Sequence, residues 1–309
     1  MVDRLFASLN IENLIMQPSN LQHKLRILLS LSFSLLVPWQ SFAESPANRS
    51  FTLASMDSRG ASTKNLSNQH PLEPILLWAR ENEKRIAREV RDYTCLMVKR
   101  TRVDGELQAR HCLFAKVRHR KVVDGKLVTP FSLYLKVLRP HKIKDREVLY
   151  IENANNGEIL VRNGGRWLSS MTVSLDPHGT MAMRGNRYPV TEFGVYRLVE
   201  RLIEIGQREV QFDDCVVNVD DHVTLNDQVC TKVHVTHREP ANHFDFHQAN
   251  LFIDNKLRLP VRFESYDWPK EGEESPVLME EYSYHRLQLN VGLTDNDFDR
   301  DNPDYGFSG

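Results

Sequence analysis

The feature that most constrains the fold of this chain is a series of strand-like segments that follow one another closely. Between residues 93 and 289, segments rich in β-branched and aromatic residues succeed each other with short turns between most of them. Turns such as Asp104-Gly105 carry the residues that tight turns require. Parallel strands need a crossover of a dozen or more residues, so these short connections predict an antiparallel sheet. The predicted strands are 93–103, 107–119, 131–137, 146–152, 157–162, 208–219, 229–236, 244–253, 260–268 and 277–289.

Two segments instead show the apolar spacing typical of a helix. The first covers residues 71–92, with its apolar residues largely on one stripe. The second covers residues 191–205, and Gly206 is expected to end it. Apolar residues cover more than half of its circumference, which favours burial on more than one side. The predicted fold is therefore α+β: a large curved antiparallel sheet, forming an incomplete β-barrel, with two main helices, the second packed in the concave side.

Residues 1–43 have the pattern of a secretory signal peptide. Lys24 and Arg26 precede the apolar run 27–37, and Ser41-Phe42-Ala43 provides small residues at the cleavage site. A signal sequence normally begins close to its apolar run, so Met16 is predicted to be the true start. The run is short for a membrane span, and no later segment is apolar enough for one. The chain is therefore predicted to be exported to the periplasmic or cell-envelope space, without a transmembrane segment after cleavage.

The remaining organisation is simple. Residues 44–70 are rich in Ser, Asn, Ala and Thr without apolar periodicity, which predicts a disordered linker. A single domain is expected over residues 71–300, followed by a flexible tail at 301–309. The formal net charge of −1 argues against a nucleic-acid partner.

Charge is nevertheless segregated along the chain. Residues 99–146 contain fourteen Lys and Arg against four Asp and Glu, whereas residues 264–304 contain twelve acidic residues against three basic ones. Such asymmetry can mark a surface that contacts an anionic partner. Because Arg110, Lys116 and Arg118 share one face of a predicted strand, a solvated strand face is the simpler interpretation.

The cysteines are even in number, and disulfides persist in the compartment predicted for this chain. The preferred pairings join Cys95 with Cys112 and Cys215 with Cys230. If Asp104-Gly105 forms the loop, the first pair shares a face but lies diagonally, which strains a disulfide. A bulge or a shifted loop could relieve this strain. The alternative is that all four are reduced, buried thiols.

The stretch "NHFDFHQ" at residues 242–248 is the best candidate for chemistry. On a strand, His243, Asp245 and His247 would project together, opposite Phe244 and Phe246. Imidazole and carboxylate groups bind zinc, so one hypothesis is a metal-dependent exported hydrolase. The simpler interpretation is the polar side of a half-buried strand. The sequence also lacks the G-x-S-x-G, H-E-x-x-H, phosphate-loop and G-x-G-x-x-G motifs, which favours a non-enzymatic protein without a cofactor.

Several longer segments resemble a known family. The stretches "YTCLMVKRTRVDGELQ", "PFSLYLKVLRPHKIKDREVLYIEN", "ANLFIDNKLRLPVRFESYDWP", "PVLMEEYSYHRLQLNVGL" and "LTDNDFD" resemble an uncharacterised bacterial exported-protein family, a domain of unknown function. The resemblance covers residues 71 to about 299, and the family's layout is similar to the periplasmic lipoprotein-carrier (LolA-like) fold. That layout implies an incomplete antiparallel barrel, capped by helices, that holds acyl chains in an apolar hollow.

Together, these observations predict a non-enzymatic exported protein that binds a hydrophobic ligand, either a lipid or an acylated lipoprotein, in a half-barrel cleft. Binding would be driven by the removal of apolar surface from water. One alternative is a filled core without a cleft, in an envelope interaction domain. The predicted lining residues are Phe131, Leu133, Leu135, Val137, Phe193, Tyr196, Leu202, Leu251 and Ile253.

Overall fold

The computed structural model describes residues 70–165, 171–212 and 214–307. The predicted signal peptide and nearly all of the predicted linker lie outside these residues. The helices of the described part are α1 (Glu73–Glu89), α2 (Thr180–Met183) and α3 (Val195–Glu209). Its strands are β1 (Asp92–Val103), β2 (Glu106–Leu107), β3 (His111–Arg118), β4 (Lys121–Val123), β5 (Lys126–Thr129), β6 (Ser132–Arg139), β7 (Glu147–Ile151), β8 (Ile159–Arg162), β9 (Thr172–Leu175), β10 (Cys215–Leu225), β11 (Gln228–His237), β12 (Gln248–Asp254), β13 (Leu259–Asp267) and β14 (Val277–Leu289).

One twelve-stranded antiparallel sheet organises the described residues. Its strand order is β10-β11-β12-β13-β14-β1-β3-β6-β7-β8-β9, with β2 attached to β1, while β4 and β5 form a separate hairpin. The edge strands β10 and β9 are not paired with each other within the described part, so the curved sheet remains open. The predicted α+β class and antiparallel sheet are therefore confirmed.

The two main helices share the core with the concave side of this sheet. Helix α3 packs against α1 and contacts β13. Its buried residues Val195, Val199 and Ile203 follow the i, i+4, i+8 spacing of one helical stripe. They join Leu133 of β6 and Leu251 of β12 in one hydrophobic cluster. The prediction that this helix packs in the concave side is confirmed.

Helix α3 does not end where the sequence suggests. The helix continues to Glu209, and Gly206 lies inside it, against α1. A Cβ atom at Gly206 would lie 2.6 Å from Leu76 Cδ2. The glycine therefore allows close approach of the two helices, and it is not a C-terminal cap. The strand predicted from residue 208 begins only at Cys215.

Residues 301–307 of the predicted flexible tail are docked in the structure, while residues 308 and 309 lie outside the described part. Residues 295–307, which we call the C-terminal strap, pack on β6 and β7. Tyr305 and Phe307 are 7% and 1% exposed, and Tyr305 stacks on Tyr134 with 3.9 Å between ring centroids. The Gly306 N–H donates to Glu147 at 2.8 Å. The strap is rich in Asp and Asn, so its sequence resembles a tail although two aromatic residues anchor it.

The strap also explains part of the charge segregation. Lys116 and Arg118 project from β3 toward Asp297 and Asp295, at 2.8 and 2.6 Å. Both basic side chains are only 12% exposed. The basic face of β3 is therefore covered by acidic residues of the same chain, which corrects the expectation of a solvated face.

The predicted pairing of Cys95 with Cys112 is wrong, because no disulfide joins these two residues in the structure. The Asp104-Gly105 turn forms as expected, but one extra residue between β2 and β3 shifts the register. As a result Cys112 lies opposite Val98, while Cys95 lies opposite Ala115. A shift of one residue turns every following side chain to the other face, so the two thiols lie on opposite faces of the sheet.

The predicted pairing of Cys215 with Cys230 is wrong for a different reason. Cys215 lies opposite His237, whereas Cys230 lies opposite Val223 near the other end of the same hairpin. At about 3.3 Å per residue, this separates the two cysteines by roughly 25 Å, and a disulfide needs Cα atoms within about 7 Å. The thiols of Cys112 and Cys230 are buried, which raises their pKa to about 11 and about 12.

A glycine before α3 is required by its contact with β1. Gly194 has φ +119°, and a Cβ atom there would lie 2.6 Å from the hydroxyl oxygen of Tyr93. That buried oxygen accepts the Val195 N–H at 3.2 Å. We expect Gly194→Ala to lower the free energy of unfolding by about 2 kcal/mol, through backbone strain and the loss of this hydrogen bond. Urea denaturation measures the change.

The matched control is Gly125→Ala in the β4–β5 turn. Gly125 also has a positive φ, but a Cβ atom there meets nothing within 4 Å. Gly125→Ala should therefore show the cost of backbone strain without the steric clash that Gly194→Ala makes with Tyr93. Equal losses in the two variants would contradict the role given to the contact between Gly194 and Tyr93.

Candidate ligand-binding site

An apolar cavity of about 60 Å³ lies between α1, α3 and the strands β11 to β13. Helix α1 contributes residues such as Leu76, α3 contributes Leu202, and β12 contributes Leu251. Apart from Glu209, every lining residue is a glycine or carries an apolar or aromatic side chain. The cavity is therefore a hydrophobic site between the helices and the concave face.

Small residues explain why this part of the core is not filled. Ala79, Gly206 and Ala249 come from the two helices and from β12, and all three line the cavity. Each occupies a buried position at which most cores place a larger side chain. Ile75 and Leu202, also in the lining, are only partly buried, so the cavity reaches toward solvent along the helices.

Three polar side chains lie at the cavity or directly behind it. Trp78 and Glu209 line it and are 0% and 2% exposed. His237 is fully buried, and its Nε2 lies 3.5 Å from Oε2 of Glu209. Its Nδ1 lies 2.9 Å from the carbonyl oxygen of Phe246. Trp78 Nε1 and Glu209 Oε1 have no hydrogen-bond partner among the residues that the structure describes.

The ligand-lining residues predicted from the sequence are divided between the cavity and the solid core. Leu202 and Leu251 line the cavity. The residues predicted on and next to β6 lie in the core away from it, where Leu133 is 0% exposed. Besides Leu133, the residues on and next to β6 are Phe131, Leu135 and Val137. The remaining predicted residues, Phe193, Tyr196 and Ile253, are buried or partly buried in the same core.

The lining from α1 is absent from the predicted set. Leu72, Ile75, Leu76 and Ala79 form the apolar stripe of this helix, which the sequence shows clearly. The stripe predicts burial, but the spacing does not reveal which element packs against it. Glu209 has no distinctive sequence signal, since it follows the residue that was expected to end the helix.

The "NHFDFHQ" stretch does not form a strand, because β12 begins only at Gln248. The alternation of burial is nevertheless present: Phe244 and Phe246 are buried, while His243 and Asp245 are exposed. The two phenylalanines pack on the ring of His237, at 3.9 and 5.0 Å between centroids. The stretch is therefore a loop that covers His237.

The three polar residues of this loop have separate partners. His243 stacks on Phe212 with 3.7 Å between centroids, Asp245 forms an ion pair with Arg208, and His247 Nδ1 lies 2.8 Å from the carbonyl oxygen of His237. No group of three or more His, Cys, Asp or Glu residues suited to a metal ion occurs in the described part of the chain. This geometry gives the metal-dependent hydrolase hypothesis no support.

The fold and the cavity define an α+β protein whose open antiparallel sheet and two helices enclose an apolar site. Residues 90–307 match the family described as Protein of unknown function (DUF1571). Because this match covers more than half of the chain, the protein belongs to that family. No curated protein matches the chain in sequence. Among the helices of the described residues, none has the length and hydrophobicity that a membrane-spanning helix needs.

The chain is also similar to solved structures of low sequence identity. A DUF1329 family protein from Desulfovibrio piger is 12% identical, with a TM-score of 0.37 and coverage of 75% of this chain and 98% of that chain. A domain from Vibrio parahaemolyticus, described as an outer membrane lipoprotein-sorting protein domain, is 12% identical, with a TM-score of 0.35 and coverage of 73% of this chain and 96% of that chain. A LolA superfamily protein from Nitrosomonas europaea is 10% identical, with a TM-score of 0.30 and coverage of 72% and 97%.

Proposed function

We propose that this protein is an exported, non-enzymatic protein that binds a hydrophobic ligand, a lipid or the acyl chain of an acylated protein. The observation that carries this proposal is the apolar cavity between α1, α3 and the concave face of the sheet. Burial of an acyl chain there contributes about 25 cal/mol per Å² of apolar surface removed from water. The signal-like sequence at residues 27–43 supports export.

Binding requires the cavity to expand. Its volume of about 60 Å³ is below the roughly 300 Å³ of typical ligand pockets. The contact between Leu76 of α1 and Gly206 of α3 is apolar, so it can open without breaking a hydrogen bond. In contrast, Arg85 near the end of α1 donates to the carbonyl oxygens of Leu257 and Arg258, at 3.1 and 2.8 Å. His70, just before α1, is also tied to the carbonyl oxygen of Phe212, just after α3, at 2.9 Å. The helices are therefore expected to separate between these two ties, at Leu76 and Gly206.

Native mass spectrometry of the full chain tests this function. The protein would be exported to the periplasm of an expression host and purified without detergent. A bound species in the lipid mass range, released by organic solvent, supports the proposal and identifies the ligand class. A bare protein mass, together with no binding of an apolar fluorescent probe such as N-phenyl-1-naphthylamine, would overturn it.

Filling the cavity should separate binding from stability. Ala249→Leu places three additional carbon atoms in existing space, so we expect the free energy of unfolding to change by less than about 1 kcal/mol. Because the added side chain competes with the ligand, probe affinity should fall by about tenfold or more, which corresponds to about 1.4 kcal/mol. Titration with the probe and urea denaturation measure the two effects.

Ala115→Leu is the matched control. Ala115 is 0% exposed on the concave side of β3 but does not line the cavity. The same added atoms should overpack the core there, lowering the free energy of unfolding by about 1–3 kcal/mol with little change in probe affinity. If both variants bind the probe as the wild type does, the cavity is not the binding site.

A further inference from the structure

Two buried polar atoms distinguish this cavity from a simple packing defect. Trp78 and Glu209 both line it, yet the indole Nε1 and the carboxyl Oε1 have no partner within the described residues. A buried donor or acceptor that is left unsatisfied is destabilising, because it loses its hydrogen bonds to water and gains none in return. Native proteins pair such groups as a rule, so one donor and one acceptor at the same apolar cavity indicate a polar group of a ligand.

The two unpartnered atoms differ in the hydrogen bonds that they can make. An indole N–H only donates and a carboxylate oxygen only accepts, so Trp78 Nε1 is a donor and Glu209 Oε1 is an acceptor. His237 does not occupy Oε1, because its Nε2 lies 3.5 Å from the other oxygen, Oε2, and has no hydrogen-bond partner within the described residues.

We propose that the cavity binds an acyl lipid with an uncharged hydroxyl head, and this inference rests on the proposed function. Glu209 Oε1 and Trp78 Nε1 both lack a partner within the described residues. A hydroxyl group can donate to the first and accept from the second, so its chemistry matches both atoms. A fatty-acid carboxylate has no hydrogen to donate and places a negative charge beside Glu209. An alkylammonium group can only donate, so it leaves the Trp78 N–H without an acceptor.

The sizes and positions of the groups agree with this assignment. The closed cavity, at about 60 Å³, has room for a small head and not for an acyl chain. Ile75 and Ile205 line the same cavity and are partly exposed, on α1 and α3 respectively. The chain would therefore extend between the helices, along the contact expected to open, while the head remains at the buried end.

A panel of twelve-carbon amphiphiles tests the inference on the wild-type protein. Displacement of N-phenyl-1-naphthylamine would be measured with 1-monododecanoylglycerol, dodecanoate and dodecylamine, each below its critical micelle concentration. We expect the glycerol ester to bind about tenfold more tightly than the two charged compounds, which is the worth of one or two net hydrogen bonds. Equal affinities for all three would overturn the inference while leaving the proposed function intact. Failure of the probe itself to bind would overturn both.

A substitution at Trp78 tests the donor. Trp78→Phe removes the indole N–H and keeps an aromatic ring in the lining. Because dodecylamine cannot accept from that N–H, we expect the ratio of 1-monododecanoylglycerol affinity to dodecylamine affinity to fall about tenfold. Trp268→Phe is the control, because Trp268 Nε1 is also buried without a partner in the described structure but does not line the cavity. An equal ratio in the wild type and in Trp78→Phe would contradict the role of Trp78. The wild-type panel gives a result even if the variant fails to fold.

Discussion

Removing residues 301–309 is expected to lower the free energy of unfolding by about 4 kcal/mol or more. The deletion removes Tyr305 and Phe307, two buried aromatic residues of the C-terminal strap, and exposes the surface on which they pack. It also uncovers Tyr134, on which Tyr305 stacks, and leaves Glu147, only 1% exposed, without the Gly306 N–H. Truncating one buried Phe typically costs 3–5 kcal/mol, and the recovered freedom of the short segment offsets only part of the total.

Urea unfolding followed by circular dichroism measures this loss. Phe307→Ala alone should lower the free energy of unfolding by about 3 kcal/mol, because Phe307 is 1% exposed. Asp304→Ala is the control within the same segment, since its side chain is exposed and its substitution should change stability by less than about 0.5 kcal/mol. An unchanged midpoint after deletion of residues 301–309 would show that the strap does not stabilise the domain.

Acid is expected to destabilise the protein through three partly buried histidines. Burial lowers the pKa of His111, His119 and His285 to about 4 each. The unfolded chain binds these protons near pH 6.5, whereas the folded protein keeps all three rings neutral until about pH 4. Their stabilisation is therefore fully present above pH 6.5 and is lost as the pH falls from 6.5 toward 4. Each shifted histidine costs up to about 1.4 kcal/mol per pH unit, so the three together should cost roughly 6 kcal/mol between pH 6.5 and 4.5.

Urea unfolding at half-unit steps from pH 7.5 to 4.5 would show this loss. His119→Phe keeps a ring next to Tyr93 and Tyr196, whose centroids lie 5.7 Å from that of His119, but cannot be protonated. We expect it to remove about a third of the pH-dependent loss, with a cost of about 1 kcal/mol at pH 7.5 because the hydrogen bond to the Val90 carbonyl is removed. His178→Gln, at an exposed position, is the control and should keep the wild-type profile. A stability that does not change between pH 7.5 and 5 would contradict the prediction.

The sheet could be predicted because its signals are local. Alternating side chains and turn residues such as Asp104-Gly105 occur within ten residues of the strands that they define. The bulge after β2 could not be predicted, since nothing in its residues distinguishes it from a continuous strand. That one extra residue decided the faces of Cys95 and Cys112, and with them the disulfide prediction.

The candidate site was predicted only in part, for a related reason. The apolar stripes of α1 and α3 predict that one side of each helix is buried. The cavity, however, depends on which residues of the two helices and the sheet face each other. Gly206 resembled a helix end in the sequence, whereas the structure places it against Leu76. The contact between Glu209 and His237 joins a helix to a strand. The two residues are far apart in the sequence, so the spacing of residues within either element does not predict this contact.

The sequence by itself determined the antiparallel sheet, the α+β class and the two main helices. The spacing of apolar residues shows which face of each segment is buried, and the turn residues show where each segment ends. Only the tertiary structure decided the shifted register of β3, the docked strap and the cavity. Lys116 donates to Asp297, and Tyr134 stacks on Tyr305, although each pair is separated by more than 150 residues of chain. Such contacts depend on the complementary shape and charge of two surfaces that meet only after folding, and neither segment carries that information alone.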